Sequence, residues 1–155
     1  MKFGVTTMTR GCLTTRAAYE QVAVTTERLG YDFIAVNDHV IVPSGIASNY
    51  PYSDTGAWEA AESGHCFDQL ATLSFLAGCT RRLRLMSSVM VVPHRHPVLA
   101  AKMISTADVL SEGRIILGVG AGWMKEEFEV LEAPFEERGR ATDEYIEAMK
   151  ALWTE

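Results

Sequence analysis

A chain of 155 residues, 48% hydrophobic and with a formal net charge of −6, has the composition of a single globular domain large enough for a core. The acidic balance weighs against nucleic-acid and anionic-membrane partners, both of which reward clustered Lys and Arg. No apolar run approaches the ~20 residues of a membrane-spanning helix, and the first ten residues lack the apolar core of a signal peptide.

Three cysteines, Cys12, Cys66 and Cys79, sit at no metal-binding spacing. They are expected as free thiols, which places the chain in a reducing cytoplasm.

The elements alternate. Residues 3–6 (FGVT) form a first strand. Thr14 or Thr15 caps a helix with Ala18, Val22 and Leu29 on one face, and Gly30 ends it. Residues 33–36 (FIAV) are a short continuous apolar run, as in a parallel strand buried on both faces. Residues 43–66 are a long polar segment, expected as a functional loop. Asp68 caps a helix carrying Leu70, Leu73 and Ala77. Arg81-Arg82-Leu83-Arg84, the densest basic stretch, is a solvated turn into a third strand over 83–92. Pro97 opens a helix through Ala100, Ile104 and Leu110 that stops at Gly113. Residues 115–117 are the fourth strand. Helices near 125–131 and from about Thr142 follow, the second aligning Ile146, Met149 and Trp153. Repeated strand-helix units imply a parallel sheet, either doubly wound or part of a (β/α)₈ barrel. Both put chemistry at the C-terminal strand ends.

Asp38-His39 follows the second strand. A histidine on such a rim exchanges protons near neutral pH, and a neighbouring carboxylate can tune it. The competing reading is a hydrogen-bonded loop histidine beside a turn-forming aspartate. His94 and His96 have no completing ligand set, so a polar loop leading into a helix is the better reading than a metal site, and His65-Cys66 is weaker still. No G-x-S-x-G elbow supports nucleophilic hydrolysis. Gly118, Gly120 and Gly122 are spaced G-x-G-x-G, with Trp123 where the dinucleotide fingerprint needs its last glycine. A phosphate cradle is disfavoured; absent side chains also let a flat ring or another backbone approach.

An ordered set of segments then stands out: Asn37-Asp38-His39-Val40, Ser87 to Pro93, His96-Pro97, Ala101-Lys102, Leu110 to Arg114, Gly118 to Trp123, Glu127-Phe128, Pro134 to Gly139 and Thr142-Asp143-Glu144. The chain resembles the bacterial luciferase-like superfamily, and within it the oxidoreductases that use the deazaflavin coenzyme F-420. The resemblance implies a (β/α)₈ barrel with the ring at the C-terminal rim. It implies Asp38 in contact with the cofactor and His39 as the proton donor or acceptor beside hydride transfer. It also implies a non-prolyl cis peptide at Ser88–Val89, forming with Ser87 a shelf behind the ring, and Gly118 and Gly120 giving the ring room. No metal is implied.

A complete barrel takes ~250 residues. Four strands are about half of one, and the domain spanning 1–155 is expected to be truncated at its C-terminus. Three functions follow: an F-420-dependent oxidoreductase acting on a small organic molecule, an FMN-dependent monooxygenase, or an inactive half barrel that binds itself or another protein. Unpaired edges and an open apolar face favour a homodimer or a higher oligomer.

Overall fold

The computed structural model describes residues 1–43, 45–58 and 66–154; His65 lies outside them. Four strands, β1 (Gly4–Thr7), β2 (Phe33–Val36), β3 (Arg84–Val91) and β4 (Ile115–Gly120), form one parallel sheet in the order β1-β2-β3-β4. A doubly wound sheet reverses its strand order at a switch point, whereas a barrel keeps chain order. The observed order is the barrel's.

Helices α1 (Arg16–Arg28), α2 (Gln69–Cys79), α3 (Pro97–Leu110), α4 (Lys125–Val130) and α5 (Arg138–Thr154) complete the fold. Local chemistry sets their ends. The Thr15 hydroxyl accepts from the Ala18 N–H at 3.2 Å, and an Asp68 oxygen accepts from the Ala71 N–H at 2.8 Å. Gly30 and Gly113 take φ of 81° and 78°, the left-handed turn that stops α1 and α3.

The core lies between sheet and helices. Ile34, Val36 and Leu85 meet Tyr19, Ala23, Leu73, Leu76, Ala100 and Ile104 there. β2 is buried on both faces, as its continuous apolar run requires.

Three expectations need correction. Leu29 and Leu110 are exposed, each at the C-terminal end of its helix. α5 starts at Arg138 rather than near Thr142, after a turn in which the Arg138 N–H donates to the Phe135 carbonyl. β4 continues to Gly120, since Val119 and Gly120 pair with Met90 and Val91.

Candidate active site at the strand rim

The C-terminal strand ends open on a pocket of about 670 Å³, within the usual range for small-molecule sites. Its walls include Met8 and Arg10 after β1, Asp38 and His39 after β2, Ser88 and Val89 in β3, and Gly120 to Trp123 at the end of β4. Tyr50 and Trp58 from the long polar segment close one side.

His39 is held by α4. Its Nδ1 lies 2.9 Å from Glu127 Oε2. The other oxygen of Glu127 accepts from the N–H groups of Val40 at 2.6 Å and Ile41 at 3.2 Å. Burial pushes the Glu127 carboxyl up. The hydrogen bond and charge of His39, the charge of His94 and the Val40 N–H outweigh that and hold it below the usual carboxylate range. Glu127 is thus an anion and accepts only, so His39 Nδ1 carries the proton. His39 Nε2 has no hydrogen-bond partner among the described residues. The imidazole packs on Trp58, ring centroids 4.7 Å apart. A carboxylate does set His39, as its position suggested, but it comes from α4 and not from the adjacent Asp38. Glu126-Glu127, an acidic pair on the rim just after the glycine strand, was the available signal.

Asp38 needs a correction. Its side chain has no solvent exposure. One oxygen accepts from the Val91 N–H at 2.9 Å and from Arg95 Nη1 at 2.7 Å; the other accepts from Arg95 Nη2 at 2.8 Å. Arg95 also reaches Asp68 at 2.8 Å. The carboxylate is committed to this brace between the ends of β2 and β3 and the start of α2, rather than free for a ligand. Arg95 is its centre. Burial opposes the Arg95 charge, but the two carboxylates hold its pKa above the ordinary guanidinium value. His94 is buried, its ring edge-on to Phe128 at 4.5 Å, and His96 takes the N-cap position of α3.

The Ser88–Val89 peptide is cis, as the resemblance implied. Between Ser87 and Met90 the ladder slips, so that Ser88 and Val89 together face the single residue Gly118. A Cβ on Gly118 would stand 2.4 Å from the Ser87 carbonyl oxygen, and one on Gly120 would stand 2.7 Å from Val89 Cγ2. The missing side chains therefore make room for the bulge, at Gly118 for its backbone and at Gly120 for the Val89 side chain. Ser87 is wholly buried and its hydroxyl donates to the Gly118 carbonyl at 2.8 Å. Ser87 and Gly118 build the shelf from behind; Ser88, Val89 and Gly120 face the pocket.

The polar segment is docked on α4. Glu126 accepts from the N–H groups of Ala47 at 2.7 Å and Ser48 at 2.9 Å and from the Ser48 hydroxyl at 2.7 Å. Burial pushes its carboxyl up, but these bonds together outweigh that and hold it down to about 2. The Ser48 hydroxyl in turn accepts from the Lys125 N–H at 3.1 Å. It caps a helix whose own N-cap residue, Met124, makes no side-chain cap.

A planar cofactor ring fits this chemistry. Val89 is 42% exposed on the shelf, and Trp58, Trp123 and Tyr50 give a largely aromatic opposite wall.

The luciferase-like monooxygenase family model matches residues 1–155. An uncharacterized Mycobacterium tuberculosis protein (strain H37Rv) is 32% identical over 136 residues, covering 88% of this chain and 47% of its own length. An F420-dependent glucose-6-phosphate dehydrogenase from Amycolatopsis mediterranei is 33% identical over 138 residues, 86% of this chain and 37% of its own. An FMNH(2)-dependent dimethylsulfone monooxygenase from Pseudomonas putida is 36% identical over 83 residues, 52% of this chain and 23% of its own. The solved structure of monooxygenase RslO1 from Streptomyces bottropensis superposes with a TM-score of 0.78 at 25% identity, covering all of this chain and 44% of that one. The chain spans about half the length of the curated relatives it matches. With its sheet in barrel order, its cis bulge and its match along all 155 residues, the chain belongs to the luciferase-like monooxygenase family.

Proposed function

We propose that the chain binds the deazaflavin coenzyme F-420 at the rim pocket and serves hydride transfer between it and a small organic substrate. The observation that carries this reading is the His39–Glu127 pair. A buried carboxylate fixes one imidazole nitrogen as a donor and leaves the other without a protein partner beside the pocket, where it can give or take a proton. When bound, the deazaflavin supplies the hydride chemistry. Ser88, Val89 and Gly120 would hold the ring from behind, and Trp58 and Trp123 exclude water from the opposite side.

Asp38-His39 supports F-420 through the family resemblance, and the Amycolatopsis relative, which uses that coenzyme, supports it too. The Pseudomonas relative, which uses FMNH(2), favours a second reading as a flavin-dependent monooxygenase. Fluorescence titration of the purified protein with oxidised F-420 and with FMN separates the two. Tighter binding of F-420 is the expected result. Tighter binding of FMN moves the chain to the second reading. A well-folded sample that binds neither is a half barrel whose role is association. Self-association belongs to the proposal in every case. No helix among the described residues is long and apolar enough to cross a membrane.

A further inference from the structure

Arg10 stands apart from the other arginines near the rim. Its residue is 8% exposed, yet no nitrogen of its guanidinium donates a hydrogen bond to a described residue. Nε and Nη1 are both buried without a partner. Arg95 has Asp38 and Asp68, and Arg138 bonds the carbonyls of Gly122 and Phe135. The two carboxylates of the pocket wall are already committed, Asp38 to Arg95 and Val91, Glu127 to His39, Val40 and Ile41. Arg10 lies in the same wall, its guanidinium carbon 3.9 Å from the Trp58 ring centroid. Trp58 also packs on His39. One indole therefore touches both the proton-handling imidazole and an unsatisfied cation.

A buried cation without an acceptor is costly, and such groups are normally paired. A planar guanidinium presents parallel donors that match a carboxylate. We propose that Arg10 is the recognition group for an oxyanion, the carboxylate of an organic acid bound in the rim pocket beside His39. This rests on reading the pocket as a hydride-transfer site, and it names the substrate class of that site.

The test uses the full chain without coenzyme, so that its outcome does not depend on whether F-420 or FMN binds. Benzoate and its neutral analogue benzamide are titrated while tryptophan fluorescence is followed, since Trp58 and Trp123 both line the pocket. Benzoate should bind about tenfold or more tightly than benzamide, the scale of a hydrogen bond to a charged group. Benzoate, and not benzamide, should raise the melting temperature. Arg10→Met should bring the two ligands to within about twofold, and Arg10→Lys should restore part of the preference, as a charge without the fork would. The methionine variant removes an unpartnered buried charge, so it should melt no lower than the wild type. Equal binding of the two probes by the wild type overturns the proposal. So does a benzoate preference that survives Arg10→Met. Loss of F-420 or FMN affinity in Arg10→Met, with no benzoate preference in the wild type, assigns Arg10 to the coenzyme and also overturns it.

Discussion

At the scale of single residues, the site is a set of commitments that leave His39 Nε2, the Arg10 guanidinium and the buried His94 ring without a hydrogen bond among the described residues. Given bound coenzyme and substrate, His39→Ala should lower turnover by roughly 10²–10⁴-fold, the span of general acid–base catalysis, with little change in coenzyme affinity. Steady-state kinetics beside a binding titration checks both halves. Glu127→Gln keeps an acceptor for Val40 but presents an amide donor to His39 Nδ1, which forces the other tautomer. Turnover should fall by about 10²-fold or more with an altered pH profile, while binding persists. His94 makes a different prediction. Burial pushes its imidazole below the ordinary value, against the pull of Glu127 and Asp38. The unfolded chain then takes up this proton first as the pH falls. The contribution is neutral above about pH 6.5 and stability declines below it. Urea melts between about pH 7.5 and 5.5 should show a shallower decline in His94→Leu than in the wild type. The sequence made His39 legible, because a histidine ending a buried strand is a rim residue in any parallel sheet. It did not make Glu127 legible, since 88 residues separate the two and no local rule joins them.

At the scale of elements, β3 and β4 explain each other. The cis bulge in β3 takes up the space that Gly118 and Gly120 leave in β4. Gly118→Ala drives a Cβ into the Ser87 carbonyl, a backbone atom that cannot step aside. It should cost about 1–3 kcal/mol, as overpacking does. Gly120→Ala meets the far end of the Val89 side chain, which can rotate, and should cost less; paired denaturant melts give the order. Ser48→Ala removes the side-chain cap of α4 seen among the described residues and one arm of the dock on Glu126. It should cost about 1 kcal/mol and speed amide exchange at Ala47. Acid should act on the same dock. Because the folded Glu126 carboxyl is held down to about 2, its contribution is whole above the ordinary glutamate value and is lost as pH falls toward 2. Helix starts at Thr15, Asp68 and Pro97 were legible because a cap or a proline is a local signal. The start of α5 was not, because Arg138-Gly139-Arg140 carries no cap chemistry and the turn at Phe135 sets it instead.

At the scale of the whole molecule, the sheet has two unpaired edges, β1 and β4. Beside β4 a groove of about 520 Å³ is lined by Ile104, Val109, Ile115, Leu117, Leu152 and Trp153, with Ser105 and Asp108 among them. The relatives' chains run to about twice this length. In the proposed self-association a second copy would cover this groove. Light scattering should give a dimer or larger, and Leu117→Lys should shift it toward monomer; a monomer at all concentrations with a cooperative melt ends the idea. Parallel order was legible from the alternation of elements, but barrel order was not, because periodicity says nothing about which strand lies beside which. Strand order also sets a timetable. Each strand pairs with the one made just before it, so the sheet can assemble as the chain leaves the ribosome. The group that fixes the tautomer of His39 arrives 88 residues later. At common synthesis rates that is a delay of roughly 5–20 s. For that interval the nascent pocket has its imidazole but not the carboxylate that orients it.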